Sequence, residues 1–158
     1  EIVYQQYPEK KPKGKHRKFD VEAMCWTDGK IFFFTKNWAN DIQQKTDVYV
    51  LDPKPGTHTL SPEKSIAYAN RFFMESQITG SCLDQASQNI FWLTETQIIQ
   101  TSPPNFKRKM MVAYDLPEIG QWESICPLGN SRFAVARERN KIFKQEAALM
   151  IVTLKTKD

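Results

Sequence analysis

Apolar residues in this chain come in short runs bounded by turn residues, and helical spacing is scarce. Runs of that kind predict strands, and the turn signals between them predict hairpins. "IVYQQY" (2–7) reads as one strand. "VEAMCW" (21–26) and "KIFFFTK" (30–36) flank Asp28-Gly29, a pair that tolerates the positive φ values of a tight hairpin turn. "DVYVLD" (47–52) follows, and "PKPGT" turns the chain into a fourth strand expected over 57–67.

The order then repeats. "ITGSCLD" (78–84), "NIFWLTE" (89–95), "QIIQT" (97–101) and "MMVAYDL" (110–116) read as four more strands. A third unit begins at "WESICP" (122–127), continues through "RFAVARE" (132–138) and "ALMIVTL" (148–154), and shows no fourth strand. The three cysteines mark the repeat: each lies three positions after a polar residue, as Glu22/Cys25, Thr79/Cys82 and Glu123/Cys126. The polar positions are 57 and 44 residues apart. Four-stranded units at that period predict propeller blades. The expected fold is all-β: one partial β-propeller domain over 1–158, with four-stranded antiparallel blades over 19–67, 78–116 and 121–154. Three units fall short of the roughly 4–8 that close a ring. The chain is therefore expected to be part of a longer propeller, with strand 2–7 from or completing another blade. The alternative is two chains sharing one six-bladed ring. The first is preferred because a half ring exposes apolar faces and sheet edges.

Composition fits this picture. A chain of 158 residues, 41% hydrophobic and 25% charged, is long enough for a domain with a real core. Ten Phe, five Tyr and four Trp favour strands. No apolar run approaches a membrane-spanning helix, and no signal-peptide pattern is visible, though a processed start leaves the location open. The net charge of +4 is concentrated in "EKKPKGKHRK" (9–18), which holds six Lys/Arg and one Glu. With "FKRK" (106–109) this loop raises a nucleic-acid reading. No aromatic interleaves it until Phe19, so a solvated loop is expected, with no nucleic-acid partner. Anionic surfaces or glycans are looser candidates. An odd, widely spaced cysteine set is no disulfide framework, and reduced, buried thiols are expected.

The leading chemical candidates are Glu22 and Glu123, which the repeat places at equivalent heights on inner strands near a central channel. Converging carboxylates there suit Ca²⁺ or Mg²⁺, with Asp20 and Glu138 as further ligands. The competing reading has each Glu accept backbone hydrogen bonds or pair with a nearby Arg or Lys, locking blade to blade. Thr79 is the third equivalent position. Lys36 and Asn37, and Arg137 and Glu138, end second strands and border a rim where a ligand would bind. His16 and His58 show no zinc spacing with the cysteines and no evident nucleophile partner, and no phosphate-binding loop is present.

At this point "FDVEAMCWTDGKIFFFTKNW" with "TDVYVLDPKPGTHTL" resembles a segment of bacterial (Bacteroidetes-type) extracytoplasmic six-bladed β-propeller proteins. Their pattern is an Asp-x-Glu-Ala strand, a Gly turn, an aromatic strand and a "vY.l…pGt" strand. "ITGSCLDQASQNIFWLTE" and "QWESICPLGNSRFAVARER" are similar to the following and last blades. The resemblance spans most of 1–154 and implies the C-terminal half of such a protein. It implies a secreted or periplasmic location, with a lipid anchor where the precursor carries one. It implies a binding or scaffold module whose ligand, a small molecule, glycan or protein, meets the channel mouth at Glu22, Thr79, Glu123, Lys36 and Glu138. Related propellers include lactonase-like enzymes whose channel acids hold a divalent metal. They imply the alternative of a metal-dependent hydrolase, with Glu22 and Glu123 on Ca²⁺.

Overall fold

The computed structural model describes residues 1–5, 7, 10, 13, 19–36, 38, 44–69, 77–103, 106–142 and 144–155. Its first strands are β1 (Ile2–Tyr4), β2 (Asp20–Thr27), β3 (Lys30–Lys36), β4 (Gln44–Leu51), β5 (His58–Leu60) and β6 (Lys64–Ala69). The second unit contains β7 (Ile78–Asp84), β8 (Asn89–Thr94), β9 (Gln97–Thr101) and β10 (Val112–Asp115). The third contains β11 (Trp122–Gly129), β12 (Arg132–Arg137) and β13 (Ala148–Thr153). A single 3-10 turn, Arg108–Met110, is the helical element among the described residues.

The alternation in "DVEAMCWT" becomes a strand with Ala23, Cys25 and Thr27 buried and Met24 and Trp26 exposed. At its end Asp28 (φ 52°) and Gly29 (φ 72°) turn the chain directly into β3. Antiparallel pairing builds three sheets, ordered β2-β3-β4-β6, β7-β8-β9-β10 and β11-β12-β13. The inner strand β7 packs against both β2 and β11, so the sheets stand side by side as successive blades. The fold is all-β, a partial propeller with two four-stranded blades and a third of three described strands.

Two local expectations need correction. The strand expected over 57–67 is two strands, because Ser61-Pro62 interrupts it and proline supplies no ladder N–H. Only β6 completes the first blade; β5 pairs in parallel with β1 beside it. The strand expected over 2–7 is correspondingly shorter, spanning Ile2–Tyr4.

The core lies in the two blade junctions. Between the first and second blades, Trp92 meets Phe34 edge-on at 5.2 Å, Tyr68 at 5.7 Å and stacks on Phe106 at 5.8 Å. Between the second and third, Phe91 and Phe133 approach to 4.5 Å beside buried Leu93, Ile98, Trp122 and Val135. A third cluster sets Tyr4, Phe19 and Leu60 over Phe33, Tyr49 and Leu51.

The second junction is tight at its inner strands. A Cβ on Gly80 would stand 3.1 Å from the Glu123 carbonyl oxygen, so glycine lets β7 and β11 approach. Beside it, the buried Thr79 hydroxyl donates to the Trp122 carbonyl and lies 3.4 Å from the Leu93 carbonyl. Thr79→Val is expected to lower the unfolding free energy by about 1–3 kcal/mol, because it leaves the Trp122 acceptor without this donor. Thr79→Ser should retain most of the stability. Urea denaturation of both variants checks this; equal losses would show that the hydroxyl is not what holds the junction.

Candidate channel-end site

Each inner strand carries one extra residue opposite its partner at the same height, and β11 carries a second, Leu128, nearer its end. Val21 pairs with Thr35 and Ala23 with Phe34; Ile78 pairs with Thr94 and Gly80 with Leu93; Trp122 pairs with Arg137 and Ser124 with Ala136. The residues so displaced are Glu22, Thr79 and Glu123. A bulge bends the strand and re-aims the inserted side chain. The three repeat positions are thus one structural feature used three times.

The same register defines a second tier. Thr35, Thr94 and Arg137 sit at equivalent ladder positions, and the residues after them are Lys36, Glu95 and Glu138. Glu95 is the member that the sequence reading missed. The signal was present, since "NIFWLTE" ends as "RFAVARE" does, but it emerges only once the bulges align the two strands.

Lys36 is only 8% exposed. Its ammonium lies 5.0 Å from the centre of the Trp38 ring, and the Trp38 indole N–H donates to the Asp20 carboxylate at 2.6 Å. Asp20, expected as a metal ligand, therefore braces the aromatic face on which the lysine rests. Burial pushes the Glu95 carboxyl up to about 7; Lys36 pulls it down, and Glu123 adds to the rise. Burial likewise raises Glu123, against the pull of Lys36 and with the repulsion of Glu22 and Glu138. Glu22 and Glu138 are exposed. Buried Tyr68 joins from the first blade: its hydroxyl contacts the Ile78 backbone, and its pKa is raised by burial and by Glu95.

The structure thus brings Glu22, Lys36, Glu123 and Glu138 into one electrostatic cluster with Glu95. Thr79 is buried within the blade junction, where its hydroxyl serves the Trp122 carbonyl. Arg137 is engaged elsewhere, by Glu118 at 2.7 Å and over the Trp122 ring at 5.1 Å. Among the described residues, no three His, Cys, Asp or Glu side chains are grouped to hold a metal ion. A divalent cation on Glu22 and Glu123 would also meet the field of the Lys36 ammonium, so the described residues alone do not fit that group.

The thiols divide. Cys25 and Cys82 are buried and pushed up to about 12 by desolvation. Cys126 is exposed, contrary to the expectation of three buried thiols. Equivalent cysteines face the next blade in the series, and among the described residues no sheet covers the third. The nitrogen of His58 stands 2.7 Å from the Lys54 carbonyl in the turn before β5. Phe106 of "FKRK" is buried against Trp92, which removes it as a base-stacking platform. Asn37, His16 and most of the basic loop 9–18 lie outside the described residues.

No protein-family model and no curated protein matches this sequence. Among solved structures, the PQQ-bound form of an aldose sugar dehydrogenase from Streptomyces coelicolor is similar to it at 10% identity, with a TM-score of 0.49. The similarity covers 83% of this chain and 42% of that one, so this chain spans less than half the length of that protein.

The raised carboxyls set a pH dependence. Glu95 holds its proton in the folded chain up to about 7 and in the unfolded chain only to about the ordinary 4.5. Between these values the folded state binds the extra proton, so stability falls as pH rises, and the full penalty is present above about 7. Glu123 acts in the same direction. Glu95→Gln should flatten this decline. Urea denaturation at several pH values from 4.5 to 7 measures it; a wild-type profile no steeper than the variant's would remove Glu95 as the cause.

Proposed function

We propose that this chain is the binding module of a propeller protein, taking a small polar ligand at the channel end formed by Glu22, Lys36, Glu95, Glu123 and Glu138. The supporting observation is that the buried Lys36 ammonium acts on both Glu95 and Glu123, with Glu22 and Glu138 in turn acting on Glu123. Exposed Glu22 and Glu138 offer acceptors to a ligand bearing cationic or hydroxyl groups, and Lys36 offers donors. The buried thiols are poor nucleophiles at neutral pH, because their pKa values move in the wrong direction. A binding or scaffold role therefore suits these residues better than covalent catalysis. The extracytoplasmic location belongs to the same proposal and rests on the resemblance of the blade motifs.

The alternative, a metal-dependent hydrolase, needs a divalent ion on Glu22 and Glu123. Thermal-shift titrations with spermidine, glucose and CaCl₂ separate the readings. The expected result is a rise in Tm with spermidine or glucose that the double substitution Glu22→Gln/Glu123→Gln removes. Tight Ca²⁺ binding removed by the same substitution would favour the hydrolase instead. A response to none of the three, or responses the substitution leaves intact, would discard the site.

A further inference from the structure

Lys36 supplies the ammonium of the channel end, and the strand beneath it aims that charge across the blades. Alternate residues of a strand share a face, so Lys36 follows Phe32 and Phe34. Both rings pack on Phe106 of the second blade, and Phe34 also meets Trp92. Lys36 therefore leaves the first blade on the side of the second. From there its charge acts on Glu95 of the second blade and Glu123 of the third.

The lysine and its nearer partner differ in freedom. Glu95 sits in a closed turn: the Thr94 hydroxyl accepts the Gln97 N–H at 2.9 Å, and the Glu95 carbonyl accepts the Gly120 N–H at 3.0 Å. Lys36 is the last residue of β3, and its flexible four-carbon stem ends in a compact charge. Such a side chain spreads over many rotamers unless something holds it. Yet Lys36 is almost wholly buried.

Two residues hold it. Trp38, two positions further on, sets its ring 5.0 Å from the ammonium, and tryptophan is the best aromatic face for a cation. The ring is fixed in turn by its indole N–H, which donates to the Asp20 carboxylate at 2.6 Å. A bond to an ionised acceptor is short and strong. Asp20 is also the residue directly opposite Lys36 in the β2–β3 ladder, so the brace closes on the strand pair it starts from.

We propose that Asp20 and Trp38 are positioning residues of the channel-end site, holding the Lys36 ammonium where it acts on Glu95 and Glu123. This role rests on the ligand site proposed above, yet its test reads a carboxyl and needs no ligand. The two can therefore fail separately. Among the described residues, the groups coupled to Glu95 are Lys36, Glu123 and Tyr68, with Glu22 and Glu138 acting on Glu123. The substitutions below alter only the lysine and its brace.

The test is an NMR titration of the carbon-13-labelled Glu95 carboxyl, assigned with Glu95→Gln. The wild-type midpoint is expected at about 7. Lys36→Met should move it up, because burial and Glu123 then act unopposed. Trp38→Leu should move it the same way. Trp38→Phe, which keeps a ring but loses the bond to Asp20, should fall between. Asp20→Ala sets two effects against each other: losing a negative charge lowers the midpoint, and loosening Lys36 raises it. A rise is expected, and only a displaced lysine explains it. A midpoint that Lys36→Met or Trp38→Leu leaves in place, or that Asp20→Ala lowers, would overturn the proposal.

Discussion

The close approach of the inner strands at the second junction is the constraint on which the rest of the structure depends. Thr79 gives its hydroxyl to the Trp122 carbonyl, and Gly80 yields the space that a Cβ would occupy against the Glu123 carbonyl. A polar side chain this deeply buried is tolerated because it reaches an acceptor there. With β7 and β11 held together, their bulges stand at the same height, and the sheets splay outward to admit Phe91, Phe133 and Trp122 between them. A wider residue at position 80 or a mute one at 79 would act first on this spacing, and through it on everything mounted at the channel end.

The chemistry of that end follows from the backbone beneath it. A bulge turns the displaced residue out of the regular alternation. Repeated on three adjacent strands, it gathers side chains that the sequence holds far apart. Charge then decides how each behaves. Lys36 is almost wholly buried, and it stays close to opposite charge and to the Trp38 face, which Asp20 holds in place. Glu95 lies deeper than Glu22, so desolvation outweighs the attraction of Lys36 and its proton is retained into the neutral range.

The strands and their grouping were legible in the residues. Short apolar runs, the Asp28-Gly29 turn and the recurrent cysteine register led to an all-β partial propeller, and they located Glu22, Thr79 and Glu123 at one equivalent position. What escaped was anything that turns on a single break or a pairing. Pro62 divides what reads as one strand into two with different partners. Glu95 was read as the end of a strand, since the count along β8 matches β3 and β12 only after the bulge in β7 is known. Cys126 follows the same local rule as Cys25 and Cys82 yet is exposed, because burial depends on a neighbouring sheet and not on the strand itself.

The sequence by itself determined the local order: where strands run, where they turn, and which positions repeat. These are set by side-chain alternation and turn chemistry within a few residues, and so they can be read in one dimension. The tertiary structure decided which repeated positions meet, how deep each lies and what surrounds it. Thr79 became a fastening of two blades, whereas Glu123, its counterpart, became part of a charged cluster. That difference arises from hydrogen bonding and desolvation between blades, which act across separations that no local pattern records.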